Sequence, residues 1–185
     1  MMKKTILSIT LAAALCACAN NSSKQAPAEQ PSAPEAATET AAEPVEADAD
    51  AAPAPDFTLN DINGKPLSLS SLQGKYVVLD FWGSWCVWCI KGIPKMKEYY
   101  QKYQGKFEIL GIDCNDSEET WKEAVAKYEL PWLHVYNDET SSKLLEAYGI
   151  QGFPTKIIIS PEGKIVKTII GEDPAFYAYL DQLFQ

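Results

Sequence analysis

The chain has 185 residues, enough for one domain of ordinary size plus extra segments. Its 16 basic residues are all lysine and face 25 acidic ones, for a formal net charge of −9. That acidity, with no arginine, argues against nucleic-acid binding and against guanidinium clamps on phosphate.

Met1-Met2-Lys3-Lys4 is a basic start, and Thr5 to Ala17 is an apolar run too short to span a bilayer as a mature helix. Residues 1–17 therefore read as a secretory signal. The run ends Leu15-Cys16-Ala17-Cys18. A leucine three places before a cysteine, with a small residue just before it, resembles the bacterial lipobox. The resemblance implies that Cys18 becomes the lipidated first residue of a mature envelope protein facing the periplasm. Ala19, rather than aspartate, after that cysteine favours the outer membrane over the inner. The alternative is an ordinary cleaved signal and a soluble product. Residues 18–55 are Ala, Pro, Glu, Ser and Thr with almost no large apolar side chain, and 19–55 contain one lysine and seven acids. Such a segment cannot bury enough surface to offset its ordering entropy, so a disordered tether is expected there.

The folded domain is expected over residues 56–185. Asp56 to Asn60 alternates as a strand, Asn63-Gly64 is a hairpin turn signal, and Lys65 to Ser68 returns. Ser70-Ser71-Leu72 reads as a helical turn. Tyr76 to Phe81 is a buried central strand. A helix follows from about Cys86 to Tyr103, with Pro94 inside it. Phe107 to Ile112 is a second buried strand. Asp116-Ser117 caps a helix reaching Tyr128, with Glu118 and Glu119 in its first turn. Pro131 to Tyr136 is a short strand, and Asp138 to Tyr148 a helix closed by Gly149. Lys156 to Ile159 and Ile165 to Ile170 form strands around the turn Pro161-Glu162-Gly163-Lys164. Asp173-Pro174 opens a last helix to Phe184. Strands alternating with helices predict an α/β fold: a central mixed sheet covered by helices on both faces.

The chemistry concentrates at Trp85-Cys86-Val87-Trp88-Cys89. A strand that ends in a short turn delivers Cys86 to the start of a helix. Unpartnered N–H groups and the helix dipole stabilise a thiolate there and lower its pKa. Cys89 lies one turn along, close enough to attack a mixed disulfide. Cys86 therefore reads as the attacking sulfur and Cys89 as the resolving one. The competing reading is a structural disulfide or half of a zinc site. The chain has no second CxxC, and His134 is its single histidine.

Three motifs carry a family resemblance: Asp80-Phe81-Trp82-Gly83-Ser84-Trp85-Cys86-Val87-Trp88-Cys89, Pro94 five residues past the second cysteine, and Gly152-Phe153-Pro154-Thr155. Residues 56–185 resemble the thioredoxin superfamily, and within it the exported, membrane-anchored TlpA/ResA type. The N-terminal hairpin and the segment 113–128 match the insertion that distinguishes that type. The resemblance implies a thioredoxin-like fold and a cis peptide before Pro154. It also implies a substrate strand pairing with the backbone of Phe153. Trp85, Val87, Trp88, Phe153 and Pro154 become candidate substrate-binding residues. Asp80 matches the buried acid beneath the cysteines and is expected to exchange the proton of Cys89. ResA-type proteins carry a glutamate three residues after the second cysteine. Gly92 stands there in this chain, and Trp88 replaces the proline that relatives place before the second cysteine.

The implied function is a thiol-disulfide oxidoreductase acting through the CxxC pair in the reductase direction. Its partners would be protein disulfides or thiols and a membrane or periplasmic electron donor. A monomer is expected, with no cofactor and no metal. One alternative is a peroxiredoxin-like peroxidase. It would want Thr or Ser three residues before Cys86, where Gly83 stands, and a nearby arginine. A second is a metal chaperone or assembly factor on the same scaffold. Cys114 reads as a small buried hydrophobe, His134 as structural, and Trp121 and Trp132 as core or groove lining.

Overall fold

The computed structural model describes residues 51–138 and 142–185. The signal, Cys18 and most of the tether lie outside the described residues. Strands β1 (Thr58–Asp61), β2 (Pro66–Ser68), β3 (Tyr76–Trp82), β4 (Phe107–Cys114), β5 (Leu133–Asn137), β6 (Thr155–Ile159) and β7 (Ile165–Ile170) make one sheet in the order β2-β1-β5-β4-β3-β6-β7. Helices α1 (Val87–Lys102), α2 (Glu118–Lys127), α3 (Ser142–Ala147) and α4 (Pro174–Phe184) cover it. β3, β4 and β5 run parallel; the other pairings are antiparallel, so the sheet is mixed.

The central strands are buried on both faces, which is why β3 and β6 read as near-continuous apolar runs. Alternation still sorts their side chains. Val78, Trp82, Ile109 and Ile158 pack with α1, α2 and α4; Val77, Leu79, Phe81, Ile112, Ile157 and Ile159 pack with α3 and the 3-10 turn Leu69–Leu72. Asp80 falls between Val78 and Trp82, and its register partner Lys156 lies two before Ile158, so both take the face of the first set.

Local signals set the element ends. Asp61 accepts from the amides of Asn63 and Lys65, tightening the hairpin turn in which Gly64 takes φ 76°. Ser117 accepts from the Thr120 amide and Asp173 from the Ala175 amide, as N-caps should. Gly149 closes the turn after α3 at φ 61°. Helix α2 and strand β5 form the crossover after β4, and the β1–β2 hairpin docks on β5 rather than on the central strands.

Most element ends shift by one or two residues, and three differences matter for the site or the domain. Strand β4 runs on through Asp113 and Cys114, because the next two residues also lie along β5. Helix α3 is described from Ser142 rather than Asp138, with 139–141 outside the described residues. The tether expected to reach residue 55 gives way to the folded domain earlier. The Ile165 amide donates to the Ala52 carbonyl, the Ala54 amide donates to Gly163, and the Tyr148 hydroxyl donates to the Pro55 carbonyl. Composition misses this because backbone pairing needs no large side chain. Among the described residues, no helix is long and apolar enough to cross a membrane.

Candidate active site

Parallel β3 and β4 set out the site. β3 ends at Trp82, and the loop Gly83-Ser84-Trp85 turns sharply into α1. A Cβ on Gly83 would stand 2.8 Å from the Cys114 carbonyl, so the turn needs glycine for close approach. The Ser84 amide and hydroxyl both donate to Asp116, and the Trp85 indole N–H donates to the Cys114 carbonyl at 2.9 Å. The loop before the cysteines is thus tied to the end of β4.

Cys86 is the N-cap of α1 rather than its first helical residue, with extended backbone (φ −83°, ψ 101°). Its sulfur takes the place of the usual capping oxygen and accepts from the Cys89 amide at 3.1 Å. The pair is oxidised here, with Sγ–Sγ 2.04 Å and Cα–Cα 5.2 Å. Both cysteines are nearly buried, but the residues around them are not. Trp85 is 49 % exposed, Val87 64 %, Trp88 61 % and Ile170 57 %. The Lys91 ammonium lies 4.4 Å from the centre of the Trp88 ring.

The peptide Phe153-Pro154 is cis, as the family resemblance implies. Thr155 Oγ1 donates to the Gly152 carbonyl, and the Gly171 amide donates to the Pro154 carbonyl at 2.7 Å. The Phe153 ring meets Trp85 edge-on at 5.2 Å between centroids. Trp85 and Phe153 thus meet ring to ring, Pro154 is buried, and Val87 and Trp88 stand exposed on the first turn of the helix.

Asp80, on β3, is 7 % exposed. Desolvation raises its pKa above the ordinary carboxylate value; nearby Lys156 opposes that rise and Glu172 adds to it. The Lys156 ammonium stands 3.9 Å from Asp80 Oδ1 and 3.0 Å from Glu172 Oε2, at only 1 % residue exposure. Taking an ammonium out of water costs several kcal/mol, which two facing carboxylates offset. Tyr177 donates its hydroxyl to Glu172 at 2.6 Å. Sequence reasoning missed Lys156, Glu172 and Asp116. The available signal was a lysine inside the otherwise apolar strand Thr-Lys-Ile-Ile-Ile, which is unusual unless the charge is paired.

The residues set aside are core. Cys114 and Trp121 are fully buried, and Trp132 nearly so. Burial pushes the Cys114 thiol well up, out of the reactive range. His134 sits between the Trp82 and Trp132 rings, and burial holds it down at about 4. Asp113, on the same face of the sheet, is pushed up to about 8 by burial and by Asp116. Among the described residues, no group of three His, Cys, Asp or Glu side chains is placed to hold a metal ion.

A family profile described as the AhpC/TSA family matches residues 51–168. The chain is 39 % identical over 120 residues to the thiol-disulfide oxidoreductase ResA of a Bacillus cereus strain, covering 64 % of this chain and 68 % of that one. It is 37 % identical over 119 residues to ResA of Bacillus subtilis (strain 168), covering 64 % and 65 %. Among solved structures, the thioredoxin domain of a thiol-disulfide oxidoreductase from Bacteroides vulgatus matches with TM-score 0.67 at 34 % identity, over 73 % of this chain and 97 % of that one. A thiol:disulfide interchange protein from Bacteroides sp. matches with TM-score 0.65 at 35 % identity, over 72 % and 89 %. A mixed sheet flanked by helices agrees with those thioredoxin-domain neighbours. The chain belongs to the AhpC/TSA family and, with its ResA relatives, is a thioredoxin-fold thiol-disulfide oxidoreductase.

Proposed function

We propose that the protein is a disulfide reductase of the bacterial envelope, anchored through Cys18, in which Cys86 attacks and Cys89 resolves. The observation that carries this reading is the N-cap sulfur of Cys86, which accepts a helix amide beside an exposed apolar rim. In the reduced enzyme that amide and the helix dipole favour the Cys86 thiolate. The thiolate attacks one sulfur of a client disulfide. A Cys86–client bond forms, the client S–S bond breaks, and the client's other sulfur leaves as thiolate. Asp80 takes the proton of the Cys89 thiol. The Cys89 thiolate then attacks Cys86 Sγ, forming the Cys86–Cys89 disulfide and releasing the second client thiolate. Two electrons have moved to the client, and an outside dithiol donor must return them to the enzyme.

The rim supplies client contacts: Trp85, Val87 and Trp88 offer apolar surface, and Phe153 offers a backbone edge for an extended client segment. The segment between Cys18 and Ala52 would let the domain reach clients away from the membrane, with the outer membrane as the site of attachment.

The direction is tested by the reduction potential with an insulin-type reduction assay. Related folds range from about −270 mV for thioredoxin to about −120 mV for DsbA, a gap of ~7 kcal/mol that reverses electron flow. A reducing potential with insulin turnover supports the proposal. A potential near DsbA's with no turnover rejects it. Anchoring is tested by fractionation: Cys18→Ser should move the protein from membranes to the soluble fraction. A peroxidase reading has less support, since Gly83 stands three residues before Cys86 and the chain has no arginine.

A further inference from the structure

The Gly92 Cα, one turn past Cys89 on the buried face of α1, has a carboxylate where its side chain would be. A Cβ there would collide with Glu172 Oε2 and lie 2.6 Å from Glu172 Cδ. Gly92 is buried, and a glycine inside a helix costs roughly 1 kcal/mol against alanine. The space it leaves is filled by an acid 80 positions later, on the link between β7 and α4. Glu172 is held there from two sides, by the Lys156 ammonium at 3.0 Å and by the Tyr177 hydroxyl at 2.6 Å. Lys156 in turn faces Asp80.

We propose that Glu172, acting through Lys156, is a positioning residue for thiol exchange: it draws the buried ammonium away from Asp80 and so sets the pH at which Asp80 takes the Cys89 proton. This rests on the reading of Asp80 as the base for Cys89. The step balances without an outside reagent. The Asp80 carboxylate and the Cys89 thiol become the Asp80 carboxylic acid and the Cys89 thiolate, and that thiolate displaces the client from Cys86.

The geometry fixes the sign. Lys156 is shared between two acids, and it stands closer to Glu172 than to Asp80. The direct effects on Asp80 agree, since Lys156 lowers its pKa and Glu172 raises it. Neutralising Glu172 leaves the ammonium to Asp80 alone, so the Asp80 carboxylate is favoured. Neutralising Lys156 leaves two buried acids facing each other, so the carboxylic acid is favoured. Besides Lys156 and Glu172, the titratable groups that feel Asp80 are Cys114 on β4 and Tyr177 on α4. Both are retained in the variants below, so differences between variants isolate the Lys156–Glu172 pair.

The experiment measures the pH dependence of mixed-disulfide resolution in single turnover, with the reduced full chain and a peptide disulfide. Glu172→Gln keeps an acceptor for Tyr177 and should move the midpoint to lower pH by about one unit. Lys156→Met should move it to higher pH. Glu172→Ala with Gly92→Glu, which supplies the carboxylate from α1 instead, should return the midpoint to within a few tenths of a unit of the parent. A purely structural role would change melting temperature and leave the midpoint in place. Unmoved midpoints in folded Glu172→Gln, or a shift to higher pH, overturn the proposal. If Lys156→Met does not fold, Glu172→Gln and the relocated glutamate decide. Asp80→Asn separates the two layers. If it resolves the mixed disulfide with the parent's pH profile, the reading of Asp80 itself has failed. If it abolishes the pH dependence while Glu172→Gln changes nothing, only the role of Glu172 has failed.

Discussion

Ser84 and Asp116, 32 residues apart, are joined twice: the Ser84 amide donates to Asp116 Oδ2 at 2.6 Å and the Ser84 hydroxyl donates to Oδ1 at 2.7 Å. One side chain thereby fixes the turn that aims Cys86. Hydrogen bonds to a charged acceptor contribute about 1.5–3 kcal/mol each, less where solvent reaches them. Asp116→Ala should lower unfolding free energy by about 1–3 kcal/mol and slow thiol exchange several-fold. Asp116→Asn, which retains an acceptor for the amide, should recover much of both. Urea denaturation and insulin turnover measure the two effects. Full activity in Asp116→Ala would mean that the turn holds its shape without this tie.

Trp88 is 61 % exposed beside the cysteines, with the Lys91 ammonium over its ring. Its removal costs the fold little, because surface substitutions usually stay within about 0.5 kcal/mol. Trp88→Ala should therefore keep the melting temperature and raise KM for a protein disulfide about 3- to 10-fold. With a small linear disulfide such as bis(2-hydroxyethyl) disulfide, which needs no apolar rim, the rates of parent and variant should agree. Equal losses on both substrates would instead place the tryptophan's effect on the sulfur chemistry.

Three cysteines lie among the described residues, and two of them form the pair. Cys114 is fully buried, with its thiol pushed up by desolvation. In the reduced native protein at neutral pH, iodoacetamide should modify Cys86 first and leave Cys114 untouched until denaturant is added. Cys114→Ala should keep full turnover, at a stability cost of about 1 kcal/mol for the lost sulfur packing. Mass mapping of the alkylated peptides reads the order directly.

His134 gives the fold an acid-sensitive contribution. Burial holds it at about 4 against an ordinary 6.5, so the unfolded chain binds more protons between those values. Stability from this group is complete above pH 6.5 and is lost as pH falls towards 4, by about 3 kcal/mol in all. Asp113 works in the opposite sense. It is pushed up to about 8, so the stability its neutral form gives is present at acid pH and is lost as pH rises. Comparing parent with His134→Asn removes the Asp113 share. Their difference in unfolding free energy should grow more favourable to the variant by about 3 kcal/mol from pH 6.5 to 4. A difference that stays constant with pH would refute the buried neutral histidine.

Much of the site was readable because its parts are local. Cys86, Cys89 and Asp80 lie within ten residues on one strand–turn–helix unit. The Gly152-Phe153-Pro154-Thr155 loop was likewise legible from its own letters. What escaped were partnerships between distant segments. Lys156 and Glu172 meet only because β6 and β7 pair, and Asp116 reaches Ser84 only because β4 lies beside β3. Gly92 looked like a bare departure from a family position, and its significance appears once the end of β7 brings an acid to it. The start of the folded domain was misjudged for a related reason. Alanine and proline carry no burial signal, yet the backbone from Ala52 to Pro55 is hydrogen-bonded.

That clasp also fixes where the leading segment leaves the domain. Ala52 and Ala54 join the chain at Gly163 to Ile165, the bend between β6 and β7. Antiparallel register sets Ile159 against Val77 and Thr155 against Phe81, so the bend lies by the start of β3 while the sulfurs lie past its end. Residues 52–55 and the redox pair therefore lie toward opposite ends of β3, so pulling on the clasp loads the β6–β7 bend and not the turn that carries the sulfurs.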